Sequence, residues 1–245
     1  MASWMRKIAD DEDLVTEEDL WAKIESMGPR EQYNIQRYLD NPDEDLDFKE
    51  YVSEYERRME FIKELAWAVP TKEAVKAIAG FVGGGRALEI GAGTGLWSYL
   101  IQQAGVNPDK YAPTDVSSGV APGKKGKSWI GRKYHGMGKM QRRTTFVPVQ
   151  KMSVDQAIEA YGDYEVLILV WPPYNTPMAA NALKGFRGNR IIYVGEGEGG
   201  CTADDEFHAM LSKDWKVHKK FTTAASKNWK QWNAIHDCIT FYERK

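Results

Sequence analysis

A glycine-rich segment near the middle of the chain combines an acidic residue with a backbone that can turn sharply. Glu89 stands two residues before Gly91, and Gly93 and Gly95 follow at alternate positions. Glycine has no Cβ, so these positions allow a tight turn and a close approach of the backbone to a ligand. The apolar residues before the segment predict a short buried strand, and those after it predict a helix. We therefore expect the loop at the carboxyl end of a strand, where α/β sheets bind nucleotide-type ligands.

The spacing and charge of this segment differ from those of a dinucleotide site. The glycines follow a GxGxG pattern, whereas the dinucleotide fingerprint is GxGxxG. The carboxylate of Glu89 would repel a pyrophosphate but can face a cationic ligand. Asp115 lies 20 residues after Gly95, behind a second predicted strand, and can accept hydrogen bonds from both hydroxyls of a ribose. The pattern favours a ligand that combines positive charge with a ribose.

This arrangement resembles the first two motifs of class I S-adenosylmethionine-dependent methyltransferases. The resemblance implies that the cofactor is S-adenosylmethionine and that its methionine and adenosyl side lies against Glu89, Gly91, Gly93 and Gly95. It also implies that Asp115 binds the ribose. In this family a polar or acidic residue after the third strand contacts the adenine.

Residues 146–149 predict the third strand. Gln150 follows it directly, and Met152 could form an apolar wall beside it. The resemblance therefore implies that Gln150 contacts the adenine.

The clearest predicted strand, residues 164–170, leads into Trp171, Pro172, Pro173 and Tyr174. This segment is similar to the Asp/Asn-Pro-Pro-Tyr motif of methyltransferases that act on exocyclic amino groups of bases or on glutamine side-chain amides. In that family the first side chain and a backbone carbonyl accept hydrogen bonds from the amino group, and the aromatic ring stacks on the substrate. The resemblance implies catalytic roles for all four residues.

The first position of this motif departs from the family, because the indole of Trp171 has a donor and no acceptor. Either the backbone carbonyls, which the prolines leave facing the cleft, orient an amino group alone, or the target differs. In the second case a cation or a ring packs on the face of Trp171. The structural alternative is a rigid turn with Trp171 in the core.

Glu196 follows the fifth predicted strand, residues 190–194, in a glycine-rich loop. It leaves the strand directly, which makes it the better acid of this loop for a substrate contact or a general base. A solvated loop is the alternative. Cys201 is expected to be a small packing residue, because no histidine partner can be argued for it. We expect a helix from Thr202, with Asp205 completing its cap.

A basic loop over residues 116–144 contains no acid. Its basic residues run from Lys124 to Arg143, with aromatic residues between them. Such a loop could clamp phosphates and stack bases of a nucleic acid, fold over the cofactor as a lid, or pair with the acidic N-terminal helices. A solvated, disordered loop is the remaining alternative.

Composition limits the other classes of function. The 245 residues carry a net charge of −2 and two cysteines without metal-ligand or disulfide spacing. The four histidines also lack metal-ligand spacing, so we expect no metal. No apolar run is long enough to span a bilayer, and we expect a cytoplasmic protein without membrane contact.

The order of the predicted elements indicates an α/β fold. We expect a doubly wound, mostly parallel seven-stranded sheet with helices on both faces over residues 70–245. Residues 215–221 and 235–242 predict its last two strands as a hairpin. Residues 1–69 predict an acidic helical extension that caps the active site, with Thr16 as the N-cap of its first helix.

The expected function is methyl transfer from S-adenosylmethionine to a planar or phosphate-bearing acceptor, with nucleic acid among the candidates. One alternative is an enzyme that uses the same cofactor for cleavage or aminopropyl transfer. The other is a catalytically inactive, methyltransferase-like binding module.

Overall fold

The computed structural model describes residues 16–29, 45–117, 126–127, 141–142 and 146–245. Its helices are α1 (Glu17–Met27), α2 (Asp45–Glu64), α3 (Lys72–Val82), α4 (Leu96–Gln103), α5 (Val154–Tyr161), α6 (Met178–Gly185), α7 (Asp205–Asp214) and α8 (Lys219–Ser226). Its strands are β1 (Ala87–Ile90), β2 (Tyr111–Asp115), β3 (Gly126–Lys127), β4 (Gln141–Arg142), β5 (Gln150–Lys151), β6 (Val166–Val170), β7 (Arg190–Gly195), β8 (Trp215–Val217) and β9 (Cys238–Arg244). Strands β3 and β4 form a separate antiparallel pair.

Seven strands form one sheet in the order β5-β2-β1-β6-β7-β9-β8. The first five pair in parallel, and β9 is antiparallel to both of its neighbours. This confirms the expected α/β fold with a mostly parallel, seven-stranded sheet. The carboxyl ends of parallel strands meet at one edge of a sheet, and Gly195 pairs there with Cys238 at the start of β9. Segments that follow β1, β2, β6 and β7 therefore share this edge with the residue that precedes β9.

Helices cover both faces of the sheet, which explains why its central strands are apolar on both sides. In β6, Val166 and Ile168 belong to one core cluster, together with residues of α2, α3 and α4. Leu167 and Leu169 belong to the other cluster, with residues of α5, α6 and α7. Successive side chains of a strand point to opposite faces, so one short run of apolar residues supplies both layers of the core.

The N-terminal helices pack on the same core as the first face of the sheet. Thr16 caps α1 in a reciprocal capping box with Asp19, which confirms the predicted N-cap. Phe61 of α2 and Leu65, which directly follows this helix, are buried in the cluster that also contains Ile78 of α3. The described part of the extension is therefore held by apolar burial as well as by polar contacts.

The predicted third strand was wrong in its position. Residues 146–149 do not pair in the sheet, and the edge strand is Gln150–Lys151. Pro148 has no N–H to donate, which disfavours a ladder through this segment. The segment packs on the glycine-rich loop instead, since Phe146 N donates to Thr94 O at 2.9 Å.

The C-terminal elements also differ from the predicted hairpin. Strand β8 ends at Val217, and α8 occupies residues that were predicted to continue it. Strands β8 and β9 are antiparallel neighbours as expected, but a helix and a loop join them. Helix α7 begins at Asp205 with Asp204 as its N-cap, not at Thr202.

Candidate functional site

The glycine-rich loop turns at the carboxyl edge of the sheet, between β1 and α4. Gly91, Gly93 and Gly95 have φ values of 81°, 57° and 72°. These values lie in the left-handed region, which residues other than glycine rarely adopt. The amides of Gly91 and Ala92 donate to Thr114 O at 2.9 and 3.0 Å. Two hydrogen bonds thus connect the turn to the end of β2.

Close packing adds a second requirement for glycine at Gly95, whereas a Cβ at Gly91 would require the flexible end of the Met178 side chain to move. A Cβ at Gly91 would lie 2.7 Å from Met178 Cε, and one at Gly95 would lie 2.6 Å from Val147 Cγ2. Real Cβ atoms almost never come this close to another heavy atom. The loop therefore packs against α6 on one side and against the segment before β5 on the other.

Asp115 joins the ends of β1 and β2. Its Oδ2 accepts a hydrogen bond from Gly93 N at 3.0 Å. Its Oδ1 accepts from Ser117 N at 2.8 Å and from Ser117 Oγ at 2.6 Å. The carboxylate is half-buried, so a pair of acceptor oxygens lies directly beside the glycine-rich turn.

Glu89 lies under the loop and its side chain is turned into the protein. It is 1% exposed, and its Oε2 accepts from Ser98 Oγ and from Tyr111 OH, the latter at 2.7 Å. Burial raises the pKa of Glu89, and these two hydrogen bonds oppose the rise. The carboxylate links β1, β2 and α4 from within, an arrangement that the sequence did not indicate.

Gln150 lies at the far side of β2, where its strand pairs with Thr114. Its side chain is half-buried, and Oε1 accepts from Tyr161 OH at 2.7 Å. This bond orients the amide of Gln150 at the carboxyl edge of the sheet.

Trp171 is part of the core, at the point where β6 ends. It is 8% exposed, and its ring stacks on Trp67 with 6.0 Å between centroids and 10° between planes. The guanidinium of Arg58 lies 5.8 Å from the centroid of the Trp171 ring. A ring and a cation thus pack on Trp171, and both come from the N-terminal part of this chain.

The backbone of Trp171 is strained. Its φ is 51°, which is unusual for a bulky residue and typical of functional or tightly constrained sites. Trp171 N donates to Val194 O at 2.7 Å, so the strained turn is tied to the neighbouring strand.

The two prolines do not present free carbonyls as expected. Pro172 O accepts from Ala203 N at 3.2 Å, and Pro173 O accepts from Thr176 Oγ1 at 3.0 Å. Both bonds are made within the protein, because the chain folds back after the turn. The ring of Tyr174 is 49% exposed.

Glu196 has an environment that disfavours a general base. It is 7% exposed, and its oxygens accept from Cys201 N at 2.6 Å and from His236 N at 2.7 Å. Burial acts to raise its pKa, but the two backbone amides outweigh it and the pKa of Glu196 is lowered. A carboxylate with a lowered pKa is a weaker proton acceptor. Its evident action is to join the loop after β7 to the segment before β9.

Cys201 is exposed rather than packed in the core as expected. Burial of its sulfur and the neighbouring Glu196 carboxylate raise its pKa to about 12. The thiolate is therefore disfavoured, in agreement with the expectation that Cys201 is not a nucleophile.

Two charged residues of this edge were missed from the sequence. Arg58 lies on α2, and Asp237, which is 1% exposed, directly precedes β9. Burial raises the pKa of Asp237 to about 7, with the Trp229 indole opposing the rise. The one available signal was position: an antiparallel last strand starts at the edge where the parallel strands end.

Three further expectations concern the basic loop, membrane spans and metal sites. The basic residues from Lys124 to Arg143 lie outside the described residues, apart from the backbone of β3 and β4. Within the described ranges no helix is long and apolar enough to cross a membrane. The same ranges contain no group of three metal-ligating side chains.

Comparison with known proteins gives structural likeness only. No family model matches the chain, and the comparison with curated proteins gave no match. Magnesium protoporphyrin IX methyltransferase from Synechocystis, solved with bound S-adenosylmethionine, is 13% identical and covers 98% of this chain and 96% of its own, with a TM-score of 0.44. The ribosomal protein L11 methylase from Lactobacillus delbrueckii subsp. bulgaricus is 12% identical over 71% of this chain and 77% of its own, with a TM-score of 0.40. The fold assignment rests on the strand order described above.

Proposed function

We propose that this chain is an S-adenosylmethionine-dependent methyltransferase. The observation that carries the proposal is the hydrogen bond from Gly93 N to the carboxylate of Asp115, which joins a GxGxG turn to an acid at the adjacent strand end. Carboxyl ends of neighbouring strands are where α/β sheets bind nucleoside ligands. Acceptor oxygens at this place suit the hydroxyls of a ribose.

The residues present fit this cofactor. Gly91, Gly93 and Gly95 have positive φ values, and without a Cβ their backbone can approach a ligand closely. Asp115 would hold the ribose and Gln150 the adenine, while Glu89 would support the loop from beneath. When bound, S-adenosylmethionine supplies a methyl group already activated by the sulfonium. The remaining task of the protein is to position the acceptor and exclude water.

The acceptor in this proposal is planar or phosphate-bearing. The aromatic side chains of Trp67 and Trp171 lie at the carboxyl end of β6, and Tyr174, three residues after Trp171 in the chain, is exposed. Flat aromatic surfaces suit planar ligands. The division into an N-terminal cap over residues 1–69 and a catalytic domain over residues 70–245 is part of the same proposal.

One observation favours a second candidate, a binding module without catalysis. Trp171 is buried against Trp67, and the carbonyls of Pro172 and Pro173 are used within the protein. This segment would then be a structural turn, and cofactor binding would serve regulation.

Incubation with methyl-labelled cofactor separates these candidates. Fractions of nucleic acid, protein and small metabolites are each offered as acceptors, with the Asp115→Ala variant as the negative control. Asp109→Ala is the matched control, because Asp109 is exposed in the turn before β2. Label in one fraction, lost with Asp115→Ala and retained with Asp109→Ala, supports the enzyme. Cofactor binding without label in any fraction would support the binding module.

A further inference from the structure

Several buried polar atoms near the carboxyl edge have no hydrogen-bond partner within the described part of the chain. They are Arg58 Nε, Trp97 Nε1, Trp232 Nε1, Asn233 Nδ2 and Asp237 Oδ1. Buried polar groups in native proteins are almost always paired, and each exception needs an explanation. Four of these atoms are donors and one is an acceptor.

Aromatic contacts, a hydrogen bond and electrostatic attraction relate four of these residues to one another, and Asn233 directly follows Trp232 in the chain. We call the five residues the α2–β9 cluster. The ring of Trp97 lies 6.4 Å from that of Trp229, whose indole donates to Asp237 O at 2.9 Å. Trp232 lies edge-on to Phe61 at 5.6 Å. Phe61 is three residues, or about one helical turn, after the cluster's arginine on α2.

The cluster lies beside the segments already assigned to the site. Arg58 contacts the ring of Trp171. Trp97 is on the first turn of α4, directly after the glycine-rich loop. Asp237 precedes Cys238, which pairs with Gly195 at the end of β7. The cluster therefore spans the strands β6, β7 and β9, next to the proposed cofactor loop.

The charges of Arg58 and Asp237 favour binding of a ligand by the cluster. Arg58 forms no salt bridge within the described part of the chain, although the charges of Asp237 and Glu196 attract it. Glu196 is already satisfied by two backbone amides. Arg58 is half-buried and Asp237 is buried. Removing charge from water without an ion-pair partner is costly, so this guanidinium and this carboxylate are suited to an external partner.

We propose that the α2–β9 cluster is the acceptor subsite, and that it binds a planar ring with a carboxylate or carbonyl oxygen facing Arg58 and the indole N–H groups, and an O–H or N–H facing Asp237. This assignment rests on the proposed function. Aromatic walls suit the ring, and the excess of donors suits oxygen atoms on its edge. Asp237 holds the O–H or N–H by accepting its hydrogen bond.

The raised pKa of Asp237 supports this role. At about 7, the carboxyl is close to half ionised near neutral pH, which is the range in which a proton acceptor is most effective. The charged groups that act on it are Arg58 on α2 and Glu196 after β7. Arg58 remains protonated throughout this range.

The test is a fluorescence titration of the full chain, whose indoles report on the cluster. The probes are 4-hydroxybenzoate, 3,4-dihydroxybenzoate and xanthine, with cyclohexanecarboxylate as the non-planar control. We expect saturable binding of at least one planar probe. Arg58→Gln and Asp237→Asn should each weaken it roughly tenfold, about 1.4 kcal/mol. The exposed controls Arg187→Gln and Asp109→Asn should leave it unchanged.

A third variant guards against loss of folding. Trp232→Phe keeps an aromatic ring at the contact with Phe61 but removes the N–H, and we expect it to weaken the same probe. Absence of binding by every planar probe at millimolar concentration would overturn the subsite. So would binding by the Arg58→Gln and Asp237→Asn variants that is as tight as binding by the wild-type chain. Calorimetry with S-adenosylmethionine on the same samples keeps the two proposals apart. Failure of cofactor binding overturns the proposed function, whereas the ring titration still decides the subsite.

Discussion

Three buried acids at the carboxyl edge differ in what their oxygens receive. Glu89 accepts hydrogen bonds from two side-chain hydroxyls, and Glu196 accepts hydrogen bonds from two backbone amides. Asp237 has an Oδ1 without a donor among the described residues. The first two are therefore bound into the fold, and the third remains available for chemistry or ligand binding.

The pH dependence of stability should carry the signature of Asp237. Its folded pKa of about 7 lies above the ordinary value of 3.8, so the folded state binds more protons than the unfolded state between these values. Its contribution to the free energy of unfolding therefore falls as pH rises from about 4 to 7, by up to about 4 kcal/mol. In urea titrations across this range, Asp237→Asn should lose that part of the pH dependence. A variant with an unchanged slope would contradict the account.

Gly91→Ala should damage the glycine-rich loop. The new methyl group would lie 2.7 Å from Met178 Cε at a φ of 81°. Left-handed backbone alone costs about 1–2 kcal/mol for a residue with a Cβ. We expect a lower melting temperature and at least a roughly tenfold loss of S-adenosylmethionine affinity. Gly84→Ala is the control, because a Cβ there meets nothing within 4 Å; equal effects of the two changes would argue against a packed loop.

At the scale of elements, the end of α2 is bonded to the glycine-rich loop. Thr94 Oγ1 donates to Leu65 O at 2.8 Å, and both residues are buried. Trp67, two residues further on, stacks on Trp171. The segment that follows α2 thus contacts both the glycine-rich loop and Trp171.

Thr94→Val should uncouple this connection while preserving the shape of the side chain. It removes the hydrogen bond from Thr94 Oγ1 to Leu65 O, and a hydrogen bond of this kind contributes about 0.5–1.5 kcal/mol to stability. We expect a lower free energy of unfolding in urea and weaker cofactor binding. Thr223→Val, on the exposed side of α8, should change neither. Unaltered cofactor binding by Thr94→Val would show that the cap and the loop act independently.

The elements that the sequence predicted well are those with strong local patterns. The apolar run of β6 and the glycines before α4 fix their positions through local chemistry. The edge strand and the C-terminal hairpin were misplaced because contacts with residues distant in the sequence determine the conformation of these segments. Residues 146–149 are apolar enough for a strand, but Val147 and Val149 pack against Gly95, a contact that depends on tertiary structure.

At the scale of the molecule, the N-terminal extension and the sheet share one core. Phe61 contacts Trp232, and Leu20 of α1 belongs to the same cluster. A chain that begins at residue 70 would expose this apolar surface. We expect it to be insoluble or to melt at a markedly lower temperature. A stable, fully folded product from residue 70 would contradict the shared core.

The same scale explains which site residues could be predicted. The positions of Glu89 and Asp115 at neighbouring strand ends could be predicted because each follows from the pattern of one short stretch of chain, whereas the inward turn of the Glu89 side chain could not. Arg58 and Asp237 were not, because they are far apart in the sequence and only the fold brings them to one edge. The surroundings of these two charged groups are visible only after the chain has folded.

Calorimetry with S-adenosylmethionine and S-adenosylhomocysteine tests the central claim most directly. The account predicts saturable one-to-one binding of both ligands. Asp115→Ala should weaken it roughly tenfold or more, about 1.4 kcal/mol, while Asp109→Ala should not. No detectable binding by the folded wild-type chain at millimolar ligand would contradict the account.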